Sequence, residues 1–108
     1  MTNPAGRLWE NRVIDFLRDV WPDMDRGVKH GRFDKGEFVN TGEWTLECKA
    51  TREIRLSEAL DQAETERKHN DTAWCAAIIK RRSHATGKAY VVMTLDQYRR
   101  LLMHMEEP

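Results

Sequence analysis

The sequence predicts one α/β domain with its elements in the order α-β-β-α-β-β-α. Three observations predict it: helical spacing of apolar residues near the N-terminus, a strand that alternates cleanly over residues 43–50, and a nearly unbroken apolar run over residues 72–80. At 108 residues the chain is sized for a single core. Hydrophobic residues make up 40% of it and charged residues 33%, so a core is available but buried charge is not easily hidden. A charge inside a strand pattern therefore needs an explanation.

Residues 5–20 read as the first helix, with Leu8, Trp9, Val13, Phe16, Leu17 and Val20 at helical spacing and Pro22 ending the pattern. Residues 23–36 read as loop, punctuated by Gly27, Gly31 and Gly36. A hairpin is expected next, from a short strand at 37–39, a turn at Asn40-Thr41-Gly42 and a second strand at 43–50. In that second strand Trp44, Leu46 and Cys48 share one face, and Thr45, Glu47 and Lys49 the other.

Residues 57–69 read as a second helix, with Ser57 as N-cap and Ala59, Leu60 and Ala63 inward. The apolar run from Ala73 to Ile79 reads as a buried central strand. A basic turn around Gly87 leads to a strand at 89–93. Thr94 caps a last helix over 95–105, with Gln97 at the capping-box position. No repeat, low-complexity segment or linker divides the chain, so residues 1–108 are expected to form one domain.

Lysine plus arginine equals aspartate plus glutamate at 18 each, which argues against a simple polybasic nucleic-acid binder but leaves local patches open. Cys48 and Cys75 lie in apolar strand patterns and read as reduced, buried thiols. Paired Cys/His spacings for zinc are absent. No apolar stretch is long enough to span a bilayer, and Met1 to Ala5 lack signal-peptide character. A soluble, cytoplasmic protein is expected, without membrane partners.

The chemistry concentrates on Glu47 and Lys49. Two residues apart on a strand, they project from one face, opposite the apolar Trp44, Leu46 and Cys48. Upstream, Asp34-Lys35-Gly36-Glu37 is expected to bring one or two carboxylates near Glu47. Converging carboxylates repel unless a cation or proton lies between them. Hard oxygen donors favour Mg²⁺ or Mn²⁺. Lys49 can orient an attacking water or stabilise charge on a phosphate oxygen, which together with a metal makes a kit for phosphodiester hydrolysis.

The runs Asp34-Lys35-Gly36-Glu37-Phe38 and Gly42-Glu43-Trp44-Thr45-Leu46-Glu47-Cys48-Lys49 resemble the PD-(D/E)XK nuclease superfamily, with likeness to small phage-encoded members and to archaeal-type Holliday junction resolvases. The resemblance extends over most of the chain and implies a restriction-endonuclease-like three-layer α/β/α domain around a central mixed sheet. It implies that Glu47 is the acidic metal ligand, that Lys49 is the motif lysine, and that the backbone carbonyl of Cys48 helps coordinate the metal.

For the motif's first acid, Gly36-Glu37-Phe38 matches Gly-Asp-apolar and favours Glu37 as ligand and catalytic residue. Asp34 stands as an alternative or additional ligand. Glu10 resembles the helix glutamate that supplements the metal site, its other reading being a solvated residue. Gln62 resembles the glutamine on the helix after the motif strand that faces the active site, its other reading being an exposed helix former. The implied activity is Mg²⁺-dependent DNA endonuclease, most specifically a resolvase of branched DNA acting as a two-fold homodimer.

Two basic clusters are candidates for phosphate contacts. Arg26, Lys29, His30, Arg32 and Lys35 precede the acidic segment, and Lys80, Arg81, Arg82, His84 and Lys88 follow the apolar strand. As solvated loops they would do nothing specific. Flanking the active-site end, they would hold the backbone electrostatically. No base-reading module is evident, so recognition by shape or backbone geometry is expected. Trp9, Trp44 and Trp74 read as core, whereas Trp21 beside Pro22 could instead pack in a dimer or stack on a base.

Overall fold

The computed structural model describes residues 4–27 and 38–107. Helix α1 (Pro4–Leu17) begins on a proline, tolerated there because the first helical N–H has no intrahelical acceptor. It ends where the Leu17 carbonyl accepts from the N–H groups of Val20 and Trp21. Its buried arc is Trp9, Glu10, Val13 and Ile14. Leu8, Phe16 and Val20, expected on the inner face, are exposed. The arc is rotated so that Glu10, rather than Leu8, lies inward. Phe16 covers Gly87 instead, where a Cβ would come within 2.9 Å of the ring.

The expected hairpin is not formed among the described residues. Strand β1 (Asp25–Arg26), in a stretch expected to be loop, pairs antiparallel with β2 (Phe38–Val39), joining Asp25 to Val39 and Arg26 to Phe38. Asn40 secures this arrangement, its side chain donating to the Asp23 carbonyl at 2.9 Å. The turn through Asn40 and Gly42, both at positive φ, then redirects the chain away from β2.

Strand β3 (Trp44–Lys49), helix α2 (Leu56–Asn70) and strand β4 (Trp74–Ile79) form a parallel crossover unit. Strand β5 (Tyr90–Val92) adds antiparallel to the C-terminal half of β4, giving the order β3-β4-β5 with the apolar strand in the centre, as expected. A single 3₁₀ turn at Thr86–Lys88 precedes β5. Helix α3 (Leu95–Met105) closes the chain. The architecture is mixed α/β on a mixed sheet. No helix among the described residues is long and apolar enough to cross a membrane.

The two faces of the sheet carry separate cores. Leu46, Cys48, Ala76 and Ile78 pack with Trp9, Val13 and Ile14 of α1, and Trp9 Nε1 donates to the Ile78 carbonyl at 3.4 Å. On the opposite face Ala77 and Ile79 pack with Ala59 of α2. The small residues Ala59, Ala63, Ala76 and Ala77, all essentially sealed from solvent, let helix and sheet approach closely.

Two caps differ from expectation. Ser57 does not cap α2; the helix starts one residue earlier behind Arg55, without a side-chain cap bond. Its other end is well built, with Asp71 in the left-handed conformation and basic residues Arg67, Lys68 and His69 in the last turn, complementing the helix dipole. Thr94 does cap α3, accepting from the Gln97 N–H at 3.2 Å. The side chain of Gln97 does not return to Thr94; its Oε1 accepts from the buried Cys75 N–H at 3.2 Å.

That bond lies on the half of β4 that β5 does not reach, so one glutamine carbonyl substitutes for a missing strand. Gln97→Leu strands a buried donor, and the expected loss is about 1–3 kcal/mol in urea unfolding. A loss below about 0.5 kcal/mol would show that the bond does not matter.

Candidate active site

The site follows from two matched repeats. Every second residue of a strand advances about 6.6 Å, and every fourth residue of a helix advances about 6 Å. Thr45 and Lys49 on β3 therefore meet Asn70 and Gln62 on α2, with Glu47 between them on the strand and Glu66 between them on the helix. The ends of this ladder are direct bonds: Lys49 Nζ donates to Gln62 Oε1 at 3.3 Å, and Asn70 Nδ2 donates to Thr45 Oγ1 at 3.0 Å. Thr45 also shares a 2.7 Å hydroxyl bond with Thr72, beside the start of β4.

Glu47 is 1% exposed, and its Oε1 pairs with Lys49 Nζ at 3.2 Å. Its Oε2 is buried and has no hydrogen-bond partner among the described residues. Glu66, 4% exposed, lies one turn after Gln62 on α2, and its Oε1 accepts from Gln62 Nε2 at 3.4 Å. A buried carboxylate oxygen left without a donor costs stability, because water solvation is lost with nothing in exchange. Such an atom is a natural cation ligand.

Lys49 and Gln62 also border an open groove of about 390 Å³, with Thr51, Ile54, Arg55 and Glu58 along its walls. Because β3 and β4 run parallel, both C-terminal ends reach this end of the sheet. The Lys80 N–H donates to the Lys49 carbonyl at 2.9 Å, so the basic loop begins directly beside the motif lysine. Arg81 lies over the Tyr90 ring at 5.3 Å, while Arg82 and Lys88 are exposed.

The expected residues thus divide into three groups. Glu47, Lys49 and Gln62 are brought together, with Cys48 buried between the two motif residues. Glu10 is buried at 3% exposure, so it is no solvated residue. It bonds Arg26, whose Nε and Nη2 each lie 3.2 Å from its Oε1. Asp34, Glu37, Arg32 and Lys35 lie outside the described residues, in the segment joining β1 to β2. Among the described residues, no three His, Cys, Asp or Glu side chains converge as a metal-holding group.

Glu66 was missed from sequence. The signal was its position four residues after Gln62, on the helix already expected to face the motif strand.

Both cysteines are free and buried, as expected. Burial, with the Glu64 carboxylate accepting from Cys75 Sγ at 3.3 Å, pushes the Cys75 thiol up to about 12. Arg67 holds Glu64 below the usual carboxylate range through a bidentate pair. Trp9 is buried, and Trp21 and Trp44 pack against the α1-side core. Trp74 lies against Trp44 with ring centroids 6.1 Å apart.

Comparison with protein-family models, with curated proteins and with solved structures finds no match to this chain.

Two measurements check the geometry. Glu47→Gln removes a buried charge, so stability in urea should hold or rise by about 1 kcal/mol; a loss above about 3 kcal/mol would make Glu47 a structural residue. The Cys75 thiol ionises far more easily unfolded, near its ordinary 9.0, than folded. Its contribution to stability is therefore complete below pH 9 and lost as pH rises towards 12. At pH 8 a maleimide should label it only at the rate of unfolding, and rapid labelling of the native protein would contradict its burial.

Proposed function

We propose that the chain is a metal-dependent endonuclease of the PD-(D/E)XK type, with the restriction-endonuclease-like fold that this implies. One observation carries the reading: a sealed glutamate, Glu47, with one oxygen held by Lys49 and the other lacking a donor among the described residues. A surface Glu-x-Lys pair would have water on both groups. A purely structural buried pair would satisfy both oxygens. Here one oxygen is left over among the described residues, and the Lys49 that holds the other borders both a groove and a basic loop.

The donor set fits a hard divalent cation, Mg²⁺ or Mn²⁺. Glu47 and the Cys48 carbonyl would hold it, with Glu37 or Asp34 from the segment before β2, and Glu10 as a further acid. Bound there, the ion would supply Lewis-acid stabilisation of charge on a phosphodiester. Lys49 remains partly exposed and bonded to Gln62, which holds its ammonium at the groove. From that position it neutralises charge gathering on a phosphate oxygen or orients a water for attack. Arg81, Arg82 and Lys88 bind the neighbouring backbone phosphates, and Arg32 and Lys35 would add to them.

The substrate we favour is branched DNA, cut as a resolvase cuts a four-way junction, by a two-fold homodimer that presents two sites to two symmetric strands. A nicking or repair nuclease would use the same residues on another substrate. A weakened binding module would keep the basic loop without cutting.

Purified protein, with and without Mg²⁺ or Mn²⁺, is offered a labelled junction, a flap and a linear duplex. Paired symmetric nicks on the junction are expected. Cleavage of the others alone selects the second reading, and binding without cleavage under either metal overturns the nuclease assignment. Glu47→Ala and Lys49→Ala should each lower cleavage by at least about 100-fold while leaving DNA binding nearly intact. Wild-type rates in either would refute the assigned roles. Asp34→Ala against Glu37→Ala identifies the remaining acid, and affinity should fall steeply with salt.

A further inference from the structure

Helix α3 turns most of its apolar residues away from the sheet. Beside the partly buried Leu101, the groups it sets against the sheet are polar: Gln97 bonds the Cys75 N–H, the Arg100 guanidinium lies 5.3 Å over the Trp74 ring, and the His104 ring stands 5.7 Å from the same ring. Most of its other apolar residues form an exposed stripe. Leu95 is 80% exposed, Tyr98 48%, Leu102 40% and Met105 68%. At 100° per residue these four form one stripe, turned roughly 120° from Gln97. Ordinary burial would have rotated the helix to cover them. The Gln97 bond and the stacking on Trp74 hold it as it is.

We propose that this stripe is the contact through which two copies of the chain pair, α3 against α3 and antiparallel. Its spacing is the reason to choose a second copy. Residues 95, 98, 102 and 105 are separated by three, four and three positions, so the stripe reads the same from either end. A two-fold axis passing level with residue 100 sets Leu95 against Met105 of the other copy and Tyr98 against Leu102. These are the a and d intervals of a two-helix seam. A patch that complements itself under rotation is what an isologous interface requires.

The area agrees. The exposed parts of the four side chains amount to on the order of 500 Å² on each copy, the upper range of what soluble monomers leave bare. With flanking residues included, two copies approach the roughly 1,200 Å² at which stable interfaces begin. This surface is argued from packing alone and stands whether or not the chain cuts DNA.

Sedimentation velocity on the 108-residue chain at about 50 µM tests it. The expected mass is twice 12.7 kDa. Leu102→Glu and Tyr98→Glu, both at exposed positions, should each sediment as monomers with an unchanged far-ultraviolet circular dichroism spectrum. A monomeric wild type would assign the stripe to some other occupant and overturn the proposal, as would variants that stay dimeric.

Cysteine pairing reads the register without depending on those variants. Oxidised Leu95→Cys/Met105→Cys should form a covalent dimer. Leu95→Cys alone should not, since the two copies of residue 95 would stand about 15 Å apart along the axis. Efficient cross-linking of the single variant, or none in the double, would overturn the antiparallel register.

Discussion

The parallel pairing of β3 with β4, which sets Trp44 beside Trp74 and Lys49 beside Ile79, is the constraint on which the rest depends. Parallel strands require a crossover, and α2 supplies it, so one helix is laid along the face that carries Thr45, Glu47 and Lys49. Strand and helix repeats of nearly equal length then turn that face into rungs, with Lys49 on Gln62 and Thr45 on Asn70. The same pairing brings both C-terminal strand ends to one edge, where Lys80 leaves the sheet beside Lys49. Slipping the register by one residue would exchange the two faces of β3 and put Leu46 and Cys48 against polar α2.

The cost of this arrangement falls on Glu47, which gives up water for one lysine and an oxygen without a donor among the described residues. The α1 side is built differently: there Glu10 is buried, and Arg26 reaches its Oε1 through two nitrogens. Glu10 Oε1 is thus held by an arginine, whereas Glu47 keeps one oxygen without a donor among the described residues.

Much of this was legible in sequence where a repeat had one outcome. Alternation over Trp44 to Lys49 and the apolar run to Ile79 fixed both strands and their faces, and Thr94 marked the start of α3. Glu47 and Lys49 could be named because the strand period assigns faces directly, whereas Gln62 was named through the family resemblance. Other features had no such signal. A two-residue strand of Asp25 and Arg26 carries no pattern, so its pairing with β2 and the loss of the expected hairpin were invisible. Periodicity showed that α1 has an apolar side, but not that Glu10 would turn inward, and the cap at Thr94 did not tell that Leu95, Tyr98 and Leu102 would face out. Ser57 looked like a cap because short hydroxyl residues favour helix starts, yet the chain enters α2 one residue earlier.

The central claim is that the spare oxygen of Glu47 is a cation ligand. Titrating Mn²⁺ into the protein without DNA, followed by loss of the free-ion electron paramagnetic resonance signal, tests it most directly. The account predicts saturable binding of Mn²⁺ by the wild type, competed by Mg²⁺ and weakened at least about tenfold in Glu47→Gln, with the variant remaining folded. Binding of equal strength in wild type and Glu47→Gln, or none in the wild type at millimolar ion, would contradict it.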